Sequence, residues 1–282
     1  MDPKGSETIN SGRRFIHGMY ILPSLFTVGT LVCGYYAILT TLQGVQTAAN
    51  GVGTVPAARA FDAAAVAIGW AVVFDGLDGR IARLTNATSN FGREFDSLAD
   101  VIAFGVAPGL LAFAWGVHSA IHLPEGGLAH HLRAIGWIAT FAFLICGAAR
   151  LARFNIDTGA TRRYFVGLPI PAAAGVIAAV VHWAKAPLQS WPYVLAWLLA
   201  TFALAFLMIS RVRYYSFKGL DLRRRRSYVT IILIGLIVWA ILFYSEPVLL
   251  VIALTYALSG PVHRITSRLR PGPPTPEQVH VP

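Results

Sequence analysis

Charged side chains are scarce in this chain. Only 13% of its 282 residues are charged, about half the share found in an ordinary soluble domain. Cysteine is nearly absent too: Cys33 and Cys146 stand alone inside apolar runs, without the spacing of a metal site or a disulfide framework. We expect both to be small packing residues. These shortages argue against a soluble enzyme and against a small protein held together by disulfides.

Long apolar runs take the place of the missing charge. Hydrophobic residues make up 56% of the chain, and its mean hydropathy is +0.60. A membrane-spanning helix needs about 20 mostly apolar residues. We therefore predict an all-α, polytopic membrane helix bundle with about eight transmembrane helices, at residues 20–42, 62–83, 95–117, 132–152, 167–186, 191–210, 228–245 and 247–263.

The basic residues indicate how these spans are oriented. The net charge is +10, but the arginines fall between apolar runs and form no continuous basic domain, so membrane lipids rather than nucleic acid are the expected partner. If both termini are cytoplasmic, all but three of the 23 Lys and Arg residues lie on the cytoplasmic side; the exceptions are Arg59, Arg133 and Lys185. Positive residues accumulate on that side. We thus predict a multi-pass protein of the cytoplasmic (inner) membrane.

Three regions follow from this organisation. Residues 1–19 are predicted to form a cytoplasmic interfacial segment around Arg13 and Arg14, and residues 20–263 the membrane domain. Residues 264–282 are rich in proline and are predicted to be a disordered cytoplasmic tail.

Acidic residues are few, yet they cluster. Five of the 13 fall between Asp75 and Asp100. Asp75 and Asp78 are three positions apart and Asp96 and Asp100 four apart, so each pair projects from one face of a helix. The second and third spans are joined by a short link, which allows the two pairs to face each other at their cytoplasmic ends.

Carboxylates at this depth are costly and repel one another unless protons or cations neutralise them. Oxygen ligands favour Mg²⁺ or Mn²⁺, with Ca²⁺ as a further option, over zinc. Two ions bridged by shared carboxylates would suit phosphoryl-type chemistry. The aspartates therefore predict a divalent-metal catalytic site near the cytoplasmic surface, opening to the cytoplasm.

Small residues accompany the aspartates. Gly79 and Ala82 leave one helix face bare, so a ligand could lie against the backbone there, and Arg83 could contact a phosphate or a base. A packing seam of small residues is the alternative. It would explain Gly79 and Ala82 but not four aspartates in register. A transporter with cation-binding aspartates would instead predict acidic residues near the bilayer midplane and repeated halves, neither of which is found.

The whole segment is similar to the signature of the CDP-alcohol phosphatidyltransferase family. It reads Asp-Gly-Leu-Asp-Gly-Arg-Ile-Ala-Arg from Asp75, followed by Gly92, Asp96 and Asp100 at the family's spacing. Members are integral membrane enzymes with a six-helix catalytic core, often homodimers, that move a phosphatidyl group from a CDP-linked lipid to an alcohol and release CMP. The resemblance implies that the four aspartates bind two divalent cations and that Asp100 is the general base. It also implies CDP-lipid contacts by Gly79, Ala82, Arg83 and Ser89.

Other stretches resemble the phosphatidylserine synthase branch of that family. They are Leu22–Thr27, Ser97–Pro108, Ala149–Asn155, Gly167–Pro171 and Ser210–Tyr214. This resemblance implies CDP-diacylglycerol as donor and L-serine as acceptor, with Ser24, where an Asn is common, and Thr27 on the CDP-lipid. Inositol phosphate, glycerol phosphate or choline as acceptor, and an archaeal-type ether lipid as donor, are alternatives.

Arg150 and Arg153 are three positions apart near the cytoplasmic end of the fourth span. They are candidates for binding the acceptor's carboxylate or the donor's phosphates. Ordinary anchoring of a span by positive residues is the alternative.

Overall fold

Helices form nearly all of the chain in the computed structural model, which describes residues 7–51, 54–85, 90–119, 127–156, 164–215 and 228–269. The first half contains α1 (Glu7–Ala49), α2 (Thr54–Thr85), α3 (Asn90–Asp100), α4 (Ala107–Phe113) and α5 (Gly127–Ile156). Two π-helical turns, Val101–Val106 and Ala114–His118, flank α4, so that residues 90–118 form one continuous helical segment. The second half contains α6 (Ile170–Ala184), α7 (Trp191–Ile209), α8 (Tyr228–Phe243) and α9 (Ser245–Leu269).

The predicted multi-pass membrane bundle is confirmed. Within the residues that the structure describes, six segments are long and apolar enough to cross a membrane: Leu25–Ala49, Thr54–Ile81, Asn90–His118, Gly127–Ile156, Trp191–Ile209 and Ser245–Thr266. The two remaining predicted spans correspond to shorter helices, α6 with 15 residues and α8 with 16. Each of the eight predicted spans thus has a helical counterpart.

Helix ends differ from the prediction at both termini of the chain. Residues 7–19 continue α1 without a break, and residues 264–269 belong to α9. Residues 1–6 and 270–282 lie outside the described residues, so the interfacial segment and the disordered tail stay predictions. The all-α prediction holds apart from one antiparallel pair of three-residue strands, β1 (Tyr164–Val166) and β2 (Arg213–Tyr215), in which Phe165 is opposite Tyr214.

The segment Asn90–His118 lies at the centre of the bundle. In its most apolar stretch 61% is buried within the protein, whereas the corresponding share for Ser245–Thr266 is 11%. The third span is therefore surrounded by other helices, and α9 lies at the periphery. α1 packs closely against this central segment at Gly34. A Cβ placed on Gly34 would be 2.7 Å from the Cα atom of Ala103. Only glycine permits that backbone contact. The same central segment begins with α3, which carries two of the four aspartates.

A hydrogen-bonded group joins three helices near the N-terminal end of α2. The His182 ring on α6 bonds through Nδ1 to Asp62 on α2, and through Nε2 to the Ser245 hydroxyl on α9 at 2.9 Å. Beside it, Lys185 Nζ donates a hydrogen bond to Glu246 Oε1. Asp62 is about 20 Å from Asp75 along the helix axis, given the rise of an α-helix. This group fixes α2, α6 and α9 relative to each other far from the four aspartates.

Candidate active site

The four aspartates lie on two helices that meet near one end of the bundle. Asp75 and Asp78 are in the last turns of α2, and Asp96 and Asp100 are in α3. Asp78 and Asp100 are buried, with 5% and 8% of their surfaces exposed, whereas Asp75 and Asp96 are half-buried. Two of the carboxylates are therefore shielded from solvent, and the other two are partly accessible to it.

Three of these side chains converge on one point. Asp75, Asp96 and Asp100 each place a carboxylate oxygen within 4.8 Å of the others. Asp100 Oδ1 is buried and has no hydrogen-bond partner among the described residues. Three negative groups at such separations, one with an unsatisfied buried oxygen, are stable only if a cation or protons neutralise them. An oxygen-only ligand set suits Mg²⁺, Mn²⁺ or Ca²⁺, so these residues fit a divalent metal ion.

Asp78 lies beside this group and is held differently. Its Oδ2 atom accepts a hydrogen bond from the Thr27 hydroxyl on α1. Asp78 is close enough to Asp96 and Asp100 for their charges to interact. The expected facing of the two aspartate pairs is thus present: three carboxylates lie close together, and the fourth is oriented by a neighbouring helix.

A second contact joins α3 to α5. Asn155, at the end of α5, donates a hydrogen bond from Nδ2 to Ser97 Oγ at 2.8 Å, and the Ser97 hydroxyl donates to the backbone carbonyl of Arg93 at 2.9 Å. Directly after Asp100 the helix widens into the π-helical turn Val101–Val106. Such turns inside helices are frequent at functional sites. Neither Asn155 nor Ser97 was among the predicted site residues, although both lie in stretches that resemble the family branch.

The two candidate arginines differ in their surroundings. Arg150 is half-buried, and its guanidinium is close enough to Asp100 for their charges to interact. Its Nε atom is buried and has no hydrogen-bond partner in the described part of the chain. Arg153 is exposed. The structure therefore brings Arg150 to the edge of the aspartate group.

The residues predicted to contact the CDP-lipid fall into three groups. Gly79 is exposed, and a Cβ placed there would meet nothing within 4 Å, so the space beside this backbone is open. Thr27 is buried and bonded to Asp78. Ser24, Ala82 and Arg83 occupy helical positions whose side chains lie outside the described part of the structure, and Ser89 lies outside the described residues altogether.

Comparison with known proteins agrees with this geometry. Residues 20–209 match the sequence model of the CDP-alcohol phosphatidyltransferase family. A relative from Helicobacter pylori is 34% identical over 229 residues, covering 79% of this chain and 83% of its own length. One from Bacillus subtilis is 30% identical over 200 residues, covering 71% and 93%. Both are named CDP-diacylglycerol–serine O-phosphatidyltransferase.

The matched region contains all four aspartates, Thr27, Asn155 and Arg150. The described interactions of Thr27 with Asp78, of Asn155 with Ser97 and of Arg150 with Asp100 thus lie within the part of the chain that the family shares. On the combined ground of helical architecture, aspartate geometry and sequence match, the chain is an enzyme of the CDP-alcohol phosphatidyltransferase family.

Proposed function

We propose that this enzyme transfers the phosphatidyl group of CDP-diacylglycerol to the hydroxyl group of L-serine, giving phosphatidylserine and CMP. The convergence of Asp75, Asp96 and Asp100 on one point carries the phosphoryl-transfer part of the proposal. The choice of serine is supported by relatives that are named for that acceptor and align with more than two thirds of this chain.

The aspartates would hold two divalent cations, Mg²⁺ or Mn²⁺, with Asp75, Asp78, Asp96 and Asp100 as ligands. When bound, such ions neutralise charge on the pyrophosphate and on the departing CMP. Thr27 keeps the Asp78 carboxylate oriented by its hydrogen bond from α1. Outer contacts of this kind fix the direction of a metal ligand and are needed for full affinity.

Asp100 is the proposed general base. The serine hydroxyl oxygen forms a bond to the lipid-side phosphorus while the bond from that phosphorus to the CMP oxygen breaks, and CMP leaves with the bonding electrons. The proton of the serine hydroxyl passes to a carboxylate oxygen of Asp100, which later returns it to solvent. Its buried position keeps this carboxylate out of bulk water, where it would otherwise be fully solvated.

The open space beside Gly79 is the proposed place for the CDP head group, with Ala82, Arg83, Ser24 and Ser89 as further proposed contacts. The donor is amphiphilic, so its acyl chains would stay in lipid while the CDP head enters the site from the cytoplasm. The bias of positive residues supports this orientation, with both termini and the site on the cytoplasmic side of the inner membrane. The homodimer implied by the family resemblance stays a prediction, which light scattering of the detergent-solubilised protein would test.

Acceptor profiling tests the proposal. Purified enzyme is incubated with CDP-diacylglycerol, Mg²⁺ or Mn²⁺, and either L-serine, inositol phosphate, glycerol phosphate or choline, and CMP release is followed. We expect CMP with serine and none after removal of divalent ions by a chelator. Absence of CMP with every acceptor would contradict the proposed phosphatidyl transfer from CDP-diacylglycerol. CMP with inositol phosphate but not with serine would contradict the choice of acceptor alone.

A further inference from the structure

Three side chains from three helices meet in a fixed order near the N-terminal end of α2. The His182 ring on α6 contacts the Asp62 carboxylate through Nδ1 and the Ser245 hydroxyl through Nε2, the latter at 2.9 Å. All three residues are half-buried, so the group is neither sealed in the core nor fully solvated. It is separate from the aspartate group, since about 20 Å of α2 lies between Asp62 and Asp75.

The carboxylate decides which nitrogen of the imidazole ring carries the hydrogen. A carboxylate accepts hydrogen bonds, so Nδ1 of His182 carries the hydrogen and donates it to Asp62. Nε2 of the neutral ring then presents a lone pair, and the Ser245 hydroxyl donates to it. A nucleophile bonded to a base, with the base oriented by a third group, is the arrangement that activates a serine.

The Ser245 hydroxyl has a different kind of acceptor from other serines of the bundle. Ser97 and Ser259 each donate to a backbone carbonyl of their own helix. A backbone carbonyl cannot take the proton of a hydroxyl group near neutral pH, whereas an imidazole can. Ser245 is thus bonded to a group that is able to remove its proton.

Neighbouring contacts hold the imidazole ring and its surroundings in place. The Trp115 ring of the central segment donates a hydrogen bond from Nε1 to the carbonyl of Lys185 at 3.1 Å, which ties the end of α6 to that segment. Lys185 also donates from Nζ to Glu246, whose carboxylate is near enough to interact with His182. This second carboxylate is therefore engaged by a cation. Side chains that are fixed in this way are preorganised for a reaction.

The serine stands at the start of a helix, directly after a sharp turn. Tyr244 alone separates α8 from α9, and Ser245 is the first residue of α9. The N–H groups in the first turn of a helix have no acceptor inside that helix and carry partial positive charge. The backbone N–H groups of Ser245 and Glu246 are at this end, where they are suited to hold negative charge that develops on a carbonyl oxygen beside the serine.

Aromatic side chains at this turn indicate the kind of molecule that reaches the serine. Trp239, Phe243 and Tyr244 are each more than half exposed. Exposed aromatic rings at the end of a membrane helix lie at the boundary between lipid and water. A fatty-acid ester would have its acyl chain in the lipid here and its carbonyl group at the serine.

We propose that Ser245, His182 and Asp62 form a second catalytic site, which hydrolyses carboxylic esters of amphiphilic molecules at the membrane surface. The Ser245 oxygen forms a bond to the ester carbonyl carbon while its proton passes to Nε2 of His182. The carbonyl double bond re-forms as the bond to the alcohol oxygen breaks, and the alcohol leaves with the proton from His182. Water, deprotonated by the same ring, then attacks the acyl-serine, which releases the fatty acid and returns the proton to Ser245. Asp62 is a positioning residue that keeps the ring in the required tautomer.

A fluorescent alkyl fluorophosphonate tests whether this serine is activated, because an activated serine displaces fluoride from the phosphorus of the reagent and stays bound to it. The purified full-length protein is treated with the reagent in detergent, and the labelled peptide is identified by mass spectrometry. We expect the label on Ser245. His182→Gln should slow labelling by at least about 100-fold, since the base is lost. Ser259→Ala, at an exposed serine of the same helix, is the matched control and should be labelled like the wild type.

Hydrolysis of p-nitrophenyl octanoate measures turnover at the same site. The wild type should release p-nitrophenol, and Ser245→Ala should do so at least about 100-fold more slowly. Asp62→Asn should lower kcat for this ester by at least about tenfold and leave its KM unchanged, because an amide can donate to Nδ1 and favour the other tautomer. Ser245→Ala should still release CMP from CDP-diacylglycerol at the wild-type rate, because the aspartate group is intact.

Two results would overturn this inference. One is a wild-type protein in which the fluorophosphonate does not label Ser245. The other is ester hydrolysis that Ser245→Ala retains in full. The position of the label in the wild type decides the question even if a variant does not fold.

Discussion

The Thr27 hydroxyl on α1 donates a hydrogen bond to the Asp78 carboxylate on α2, across 51 positions of the chain. Both side chains are buried, with 3% and 5% of their surfaces exposed. This bond keeps one carboxylate of the aspartate group pointing in a fixed direction while its three neighbours converge on a common point. It makes α1 part of the active site, although α1 contributes none of the four aspartates.

Replacing Thr27 by valine tests this role. Valine has nearly the same shape but cannot donate, so Asp78 would lose its orientation, and the apparent affinity for the divalent ion should fall by about 10- to 100-fold. The measurement is the Mn²⁺ concentration that gives half-maximal CMP release. Thr30→Val is the matched control, because Thr30 is equally buried and, within the described residues, its hydroxyl donates to the carbonyl of Phe26 in its own helix. Equal metal dependence in both variants would show that the Thr27 bond does not matter to the site.

Asp100→Asn tests the general base. Asparagine is similar in size but cannot accept the proton of the acceptor, so kcat should fall by at least about 1,000-fold, within the range found for lost general-base catalysis. CDP-diacylglycerol binding and thermal stability should be largely kept. Asp62→Asn, at the far end of α2, should leave kcat unchanged. Loss of folding in Asp100→Asn alone would argue that this residue has a structural role.

Two glycines should respond in opposite ways to added side chains. At Gly79 a Cβ would enter open space, so Gly79→Leu should leave the melting temperature unchanged but raise the KM for CDP-diacylglycerol by obstructing its head group. At Gly34 the same atom would lie 2.7 Å from the backbone of Ala103. Gly34→Ala should therefore lower the melting temperature by separating α1 from the central segment. A normal donor KM in Gly79→Leu would exclude this face from donor binding.

The Lys185–Glu246 pair predicts a dependence of stability on pH. The hydrogen bond to Glu246 raises the pKa of Lys185 above its ordinary value of 10.5. A lysine whose pKa is raised by folding stabilises the folded state below its unfolded pKa, and this contribution is lost as the pH rises through the folded pKa. The difference in melting temperature between the wild type and Lys185→Gln should thus be constant from about pH 6 to about pH 9 and shrink above the ordinary lysine pKa. Arg133→Gln, at an exposed position of α5, is the control, and the same pH profile in both variants would contradict the prediction.

Local spacing explains what could be predicted from the sequence. The apolar runs predict helices because about 20 mostly apolar residues are enough for a helix to cross a membrane. The spacing of Asp75, Asp78, Asp96 and Asp100 puts each pair on one helix face, because helical periodicity depends only on neighbours in the chain. The short link between α2 and α3 then brings the two pairs together.

Contacts between distant residues could not be predicted in the same way. The bonds from Thr27 to Asp78, Asn155 to Ser97 and His182 to Asp62 depend on how whole helices pack, and no periodicity signals them. The strands β1 and β2 were missed because three residues are too few for an alternating pattern. The difference in solvent exposure between the buried Asp100 and the half-buried Asp75 likewise depends on the helices that pack around them.

The course of the transferred atoms gives the most direct test of the central claim. The enzyme is supplied with CDP-diacylglycerol, Mn²⁺ and L-serine that carries a heavy oxygen isotope in its hydroxyl group. The masses of both products are then measured by mass spectrometry. Attack by the serine hydroxyl on the lipid-side phosphorus predicts phosphatidylserine that retains the heavy oxygen, formed in equal amount with unlabelled CMP. Failure to form labelled phosphatidylserine while CMP is released, or the heavy isotope appearing in CMP, would contradict the account.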